Sequence, residues 1–347
     1  MKQSYAQSLQ IAALYIGTIV GAGFSTGQEI IQFYSRYGIF ALYAIFIATL
    51  LFIWLGYKIM MLAASLQAKS YEDLNIALFG NKIGKSISWF MLIVLLGVCS
   101  IMLAGAGAVF EENWKIPSQI GLLVTVIATF FIVRRGLNAI FFVNSIVVPI
   151  MILFTFILFF DAINAPQFLF YLDSNIIHAP AWRAIATPFV YVALNLALAQ
   201  AVLVPIGTKI KDKKTLRNGA IFAGLGIGFM VSVAHFTLVT HYGEIKHLAI
   251  PMGGIAATIG VFIYVLYIIV IYAEIFTTLV ANIYGVTLQT KQYINLPTTL
   301  IYGLTLFICF LLAHIGFERL LSTLYQVFGF ISLAWLAILI YYRKKAT

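Results

Sequence analysis

This chain carries little charge. Asp, Glu, Lys and Arg together make up 9% of its 347 residues, and only 11 residues are acidic. Soluble domains carry about 25% charged residues, so an ordinary water-soluble fold is excluded. Cysteine is also sparse. Cys99 and Cys309 each lie inside an apolar run, which excludes a disulfide framework or cysteine metal site and leaves two small buried hydrophobes. The five histidines, His178, His235, His241, His247 and His314, follow no metal-binding spacing, and a structural or interfacial role is expected of them. There is no low-complexity segment, no separate soluble domain and no nucleotide-binding motif. No nucleophile–base or metal constellation points to an enzyme or a bound cofactor.

Apolar surface is what the chain has instead. Hydrophobic residues make up 63% of the sequence and mean hydropathy is +1.02. Polar residues gather between apolar runs of the length, about 20 residues, that crosses a bilayer as a helix. The short alternating segments of a transmembrane barrel are absent. The expectation is an all-α polytopic membrane protein in a lipid bilayer. Ten spans are expected at about 8–33, 39–66, 86–110, 117–133, 138–160, 183–205, 218–242, 255–285, 296–313 and 320–342. The first run continues into a polar stretch without a signal-peptide cleavage site, so it is expected to be retained. With the N-terminus cytoplasmic, only Arg36, Lys115, Arg183, Lys246 and Arg319 of the 21 Lys and Arg fall on the outer side. The positive-inside rule therefore places both termini in the cytoplasm. It also accounts for the net charge of +10 without nucleic acid as a partner. The loop SYEDLNIALFG (70–80) has Tyr71, Leu74 and Leu78 on one face and is expected to form an amphipathic helix on the cytoplasmic surface. An outer loop covers 161–181.

Residues 15–30, YIGTIVGAGFSTGQEI, place Gly17, Gly21, Gly23 and Gly27 inside an apolar run with Ser25, Thr26, Gln28 and Glu29. The fragment GAGFSTG lacks the preceding strand of a dinucleotide fingerprint. Gly17/Gly21 and Gly23/Gly27 could be small-xxx-small pairs that let helices pack closely. A broken helix is the other reading. It also explains the embedded polarity, because unwound backbone at membrane depth lines a cavity and its helix ends bind ions and carboxylates. In the eighth span Glu274 is followed by Thr277 and Thr278, at i+3 and i+4, so the three share one helical face. Three oxygen-bearing groups there suit Na⁺, or a titrating carboxyl held by hydroxyls. The threonines could instead bond back to their own helix.

Ten spans, GTIVGAG in the first and paired hydroxyls in the eighth resemble the LeuT-fold transporters of the amino acid–polyamine–organocation superfamily. GAGFSTGQE, AGAGAVFEE (104–112) and SYEDLNIALFG further resemble the small YkvI-type bacterial membrane proteins. The resemblance covers nearly the whole chain. It implies one transporter domain, 1–347, folded as a five-plus-five inverted repeat (about 8–160 and 183–342) with helices 1 and 6 broken, helix 6 near Asn195. It implies a coupling site for Na⁺ or H⁺ at Gly17 and Val20 of span 1 and Glu274, Thr277 and Thr278 of span 8. Sodium-coupled members of the superfamily carry a small residue where this chain has Glu274, which leaves proton coupling open. A substrate site is implied at Ala22, Gly23 and Phe24 of the break, with Gly105 of span 3 and Tyr191 and Asn195 of span 6. The glycines of span 3 could equally serve close packing. Gln28 and Glu29 fall beyond the break, toward an outer vestibule. The implied function is ion-coupled symport of a small amino acid or related amine, in the inner membrane of a bacterium, by a monomer or weak oligomer. A non-transporting sensor or receptor component on the same fold is the alternative.

Overall fold

Apolar runs in lipid fold as helices because each backbone N–H and C=O must find its partner within the segment. A computed structural model describes residues 2–165, 181–245, 248, 250–315, 328 and 331–342. Its regular elements are helical, and no strand occurs among the described residues. The first helices are α1 (Lys2–Ile19), α2 (Ala22–Thr26) and α3 (Gln28–Phe33), then a 3₁₀ turn at Ser35–Tyr37. Next come α4 (Phe40–Leu66), α5 (Tyr71–Phe79), α6 (Asn81–Trp114), α7 (Ser118–Arg134) and α8 (Leu137–Asn164). Beyond residues 166–180, which lie outside the described residues, stand α9 (Ala181–Lys209), α10 (Lys213–Thr240), α11 (Tyr242–Ile245) and α12 (Pro251–Ile259). The chain ends with α13 (Val261–Thr290), α14 (Thr298–Ala313) and α15 (Ile331–Tyr341). Among the described residues, six helices, α4, α6, α8, α9, α10 and α13, are long and apolar enough to cross a membrane, and α7, α14 and α15 are shorter apolar helices. The first expected span is divided among α1, α2 and α3. The tenth falls partly outside the described residues.

Glycine sets the closest helix approaches. A Cβ at Gly207 of α9 would lie 2.8 Å from the Met60 carbonyl carbon of α4. A Cβ at Gly228 of α10 would lie 3.0 Å from Thr49 Cβ, and one at Gly224 would lie 3.0 Å from Ile53 N. Small residues allow such contact where lipid supplies no hydrophobic drive between helices. Tyr15 of α1 is fully buried and donates its hydroxyl to the Phe52 carbonyl at 3.0 Å. Cys99 and Cys309 are both buried and free, and they neighbour each other across α6 and α14. At the start of α10, the Asp212 carboxylate accepts from the amides of Lys214 (3.2 Å) and Thr215 (3.1 Å). The Thr215 hydroxyl and these amides hold the Asp212 carboxyl below the ordinary carboxylate range.

Two expectations need correction. Helix 6, expected to break near Asn195, is unbroken from Ala181 to Lys209 with Pro188 and Pro205 inside it. No glycine lies near Asn195, and the amide donors of the polar side chains bond back to their own helix. Asn195 Nδ2 donates to the Tyr191 carbonyl and Gln200 Nε2 to the Ala197 carbonyl, both at 2.9 Å. The loop helix α5 exists, capped by Ser70, whose Oγ accepts from the Glu72 amide at 3.1 Å. One of its acidic residues does not face water: Glu72 is 3% exposed. Gln289 Nε2 and the Tyr293 hydroxyl both donate to Glu72 Oε2. Ser70 Oγ donates to Gln289 Oε1 at 2.7 Å. Burial, and then Glu72, push the Tyr293 hydroxyl well above the ordinary tyrosine range, so it stays a donor. Asn75 adds bonds to Ser88 Oγ (3.0 Å) and from Trp335 Nε1 (2.9 Å). Thus α5 ties α6, the C-terminal end of α13 and α15 together.

Candidate functional site

The glycine-rich stretch breaks its helix twice. The Val20 amide still donates to Ile16 (2.8 Å), but Gly21 is extended at φ −120° and ψ −162°, and the helix resumes at Ala22. The break thus covers Val20 and Gly21, and Ala22, Gly23 and Phe24, expected within it, are helical. Ala22, Gly23 and Phe24 form the first turn of α2, and the first amides of a helix have no intrahelical acceptor. The second break is at Gly27, whose φ of +90° is left-handed and favours glycine. A Cβ there would also meet Leu238 and Met252 at 2.9 Å.

Carbonyls set free by the first break are met by α13. Thr278 Oγ1 lies 3.0 Å from the Gly17 carbonyl oxygen and 3.1 Å from that of Val20. In an unbroken helix these carbonyls would accept from the amides of residues 21 and 24. Thr277 does the opposite and donates to the Glu274 carbonyl of its own helix at 3.1 Å. Glu274 is wholly buried, and neither carboxyl oxygen has a hydrogen-bond partner. Tyr267, two turns earlier on α13, donates to the Ser25 carbonyl of α2 at 2.9 Å. Sequence reasoning did not place Asn144 of α8 in this group. A Cβ at Gly17 would lie 2.9 Å from Asn144 Cγ, and Asn144 Oδ1 is buried without a partner. Its only sequence signal is an amide within an apolar span.

The remaining expected residues lie around α2 and α3. Phe24 is buried, and Met102 Cε of α6 lies 3.7 Å from where a Gly21 Cβ would stand. Gly105 is buried one turn further along α6. Tyr191 is fully buried, with its ring centroid 5.2 Å from those of both Phe33 and Tyr34. Gln28 Nε2 donates to the Leu248 carbonyl at 3.0 Å. Glu29, expected at an outer vestibule, is buried in this structure with its side chain turned back on Gly23. Two clusters result. Gly17, Val20, Thr278 and Asn144 gather at the α1 side of the break, and Gly23, Glu29, Tyr34 and Tyr191 lie beyond it. His235 and His241 bind elsewhere: His235 Nδ1 meets Ser35 Oγ at 3.2 Å, and His241 Nε2 lies 3.5 Å from Asp161 Oδ2.

A bundle of apolar helices around a broken first helix that contacts the eighth span is the LeuT-type transporter fold. MhsT in complex with L-phenylalanine matches it with a TM-score of 0.73 at 15% identity, covering 96% of this chain and 88% of that one. A Na⁺-coupled sialic acid symporter in its outward-open state matches with a TM-score of 0.67 at 12% identity, covering 95% and 78%. A manganese transporter of Eremococcus coleocola gives 0.56 at 15% identity, covering 98% and 77%. The membrane protein YkvI of Bacillus subtilis (strain 168), described as uncharacterized, is 36% identical over 352 residues, covering 100% of this chain and 98% of YkvI. This chain belongs to the YkvI family of bacterial membrane proteins. The B. subtilis protein YyaD is 25% identical over 331 residues, 95% of each chain. No family model matches the sequence. By name, YkvI is a membrane protein, and the sialic acid symporter and the manganese transporter are transport proteins.

Proposed function

We propose that the protein is a secondary active symporter for a small amino acid or related amine, driven by Na⁺ or H⁺ through alternating access. The observation that carries this reading is the contact of Thr278 with the Gly17 and Val20 carbonyls at 3.0 and 3.1 Å, with the unpartnered Glu274 carboxyl one turn earlier on the same helix. Two backbone carbonyls, a hydroxyl and a carboxylate are hard oxygen donors of the kind a small cation takes. A buried carboxyl with no partner in a membrane needs either a bound cation or its own proton. Na⁺ and H⁺ therefore compete for Glu274, and occupancy biases the contact between the broken first span and α13. Thr277, bonded to its own helix, enters this site only by releasing that bond. The transporter neighbours support the reading, as do the oxygen-rich break and its place between helices. In the same reading ten spans form two five-helix repeats in the bacterial inner membrane, with both termini cytoplasmic.

Uptake into proteoliposomes under separate Na⁺ and pH gradients tests the proposal. Glu274→Gln imitates the protonated carboxyl and is expected to abolish the response to the driving ion while substrate exchange survives. Ion-driven accumulation that persists unchanged in Glu274→Gln removes Glu274 from the mechanism. Accumulation under neither gradient refutes symport.

A further inference from the structure

Gly23 and Glu29 belong to one device. Glu29 leaves α3 and folds back across Gly27, and a Cβ at Gly23 would lie 2.6 Å from both Cγ and Cδ of the glutamate. Any side chain at position 23 would displace the carboxyl, which gives this glycine a reason beyond helix packing. Glu29 is 7% exposed. Tyr34 interacts electrostatically with it, and Tyr34 is wholly buried with a hydroxyl that has no hydrogen-bond partner. Beside them the rings of Phe33, Tyr34 and Tyr191 pack at centroid distances of 5.2 Å.

These groups share one electrostatic character. A carboxylate offers negative charge, a tyrosine hydroxyl offers lone pairs, and aromatic faces attract cations. An ammonium group is complementary to all three, and its charge-assisted bonds are strong away from water. A carboxylate brought to Gly23 would instead stand against that of Glu29 in a medium that screens it poorly. We propose that Glu29 supplies, from the protein's own chain, the carboxylate at the span-1 break, so that the substrate is an organic ammonium ion without a carboxylate of its own. This deepens the symport reading and depends on it.

Ligand pairs that differ only by a carboxylate test the inference: L-phenylalanine with phenethylamine, L-alanine with ethylamine, and L-lysine with cadaverine. Binding to the purified full-length protein is followed by thermal stabilisation, and uptake is followed in proteoliposomes. The amine of a bound pair is expected to bind at least about tenfold more tightly than its amino acid. Glu29→Gln should lose that preference, and Glu29→Ala should reverse it by clearing the space at Gly23. Wild-type protein that accumulates the amino acid and rejects its amine overturns the inference while leaving symport standing. A preference unmoved in both Glu29 variants also overturns it. Where Glu29→Ala does not fold, Glu29→Gln and the wild-type preference decide. If neither member of any pair binds or is carried, the symport reading fails and this inference fails with it.

Discussion

Thr277 and Thr278 are adjacent, and the structure gives their hydroxyls different partners. Thr277 bonds to its own helix, whereas Thr278 crosses to two carbonyls of α1 that the break has released. Thr278→Ala leaves those buried carbonyls unpaired and is expected to cost about 2 kcal/mol, with Thr278→Ser recovering most of it. Thermal unfolding of the purified protein measures both. Under Na⁺ coupling, Thr278→Ala also weakens Na⁺ dependence of uptake, and under proton coupling it does so much less. A second test concerns Gly17, where a methyl would run into Asn144. Gly17→Ala should lower stability by about 1–3 kcal/mol, and adding Asn144→Ala should return part of the loss. A strictly additive double variant would refute that contact. Helical periodicity alone places Glu274, Thr277 and Thr278 on one face, and family resemblance supplies Gly17 and Val20. Asn144 was not legible, because its position depends on how α8 packs against α1, and such long-range contacts leave no local pattern.

Breaks and caps are written locally, and their legibility follows from that. Gly21 and Gly27 mark the two breaks of the first span, and Ser70 marks the start of α5. The continuity of α9 was misjudged because Asn195 was read for a ligand, whereas its amide bonds to the carbonyl one turn back. The burial of α5 was missed for another reason. Its amphipathic pattern identifies an apolar face, but Glu72 is held by Gln289 and Tyr293, more than 200 positions along the chain. Glu72→Ala strips both donors of their acceptor in a buried site, and a loss of about 3 kcal/mol is expected. Tyr293→Phe, which removes one donor, should cost about 1 kcal/mol. Equal, negligible shifts in melting temperature for the two variants would show that α5 is not fastened this way. Gly207→Ala probes the α4–α9 contact. Its methyl meets the Met60 backbone, which cannot swing aside as a side chain does, so about 2–3 kcal/mol should be lost.

At the scale of the whole molecule, the distribution of charge predicts an orientation in the bilayer, and α6 offers a direct test. This helix has 34 residues from Asn81 to Trp114, a length of about 50 Å at helical rise, enough to cross the hydrocarbon core and extend beyond it. Lys82 lies near its start and Lys115 follows its end, both exposed. The excess of Lys and Arg on the N-terminal side of the membrane assigns Lys82 to the cytoplasm and Lys115 to the exterior. The two native thiols, Cys99 and Cys309, are wholly buried, so labelling by a membrane-impermeant maleimide reports only an introduced cysteine. Lys115→Cys is expected to label in intact cells and Lys82→Cys to remain unlabelled. Inside-out vesicles should reverse the pattern. Labelling of Lys82→Cys from outside would invert α6 and, with it, the placement of both termini. The coupling site would keep its internal geometry in that case. The face to which Glu29 and the aromatic cluster are assigned would change from the exterior to the cytoplasm, while the direction of ion-driven transport, which the ion gradient sets, would stay the same.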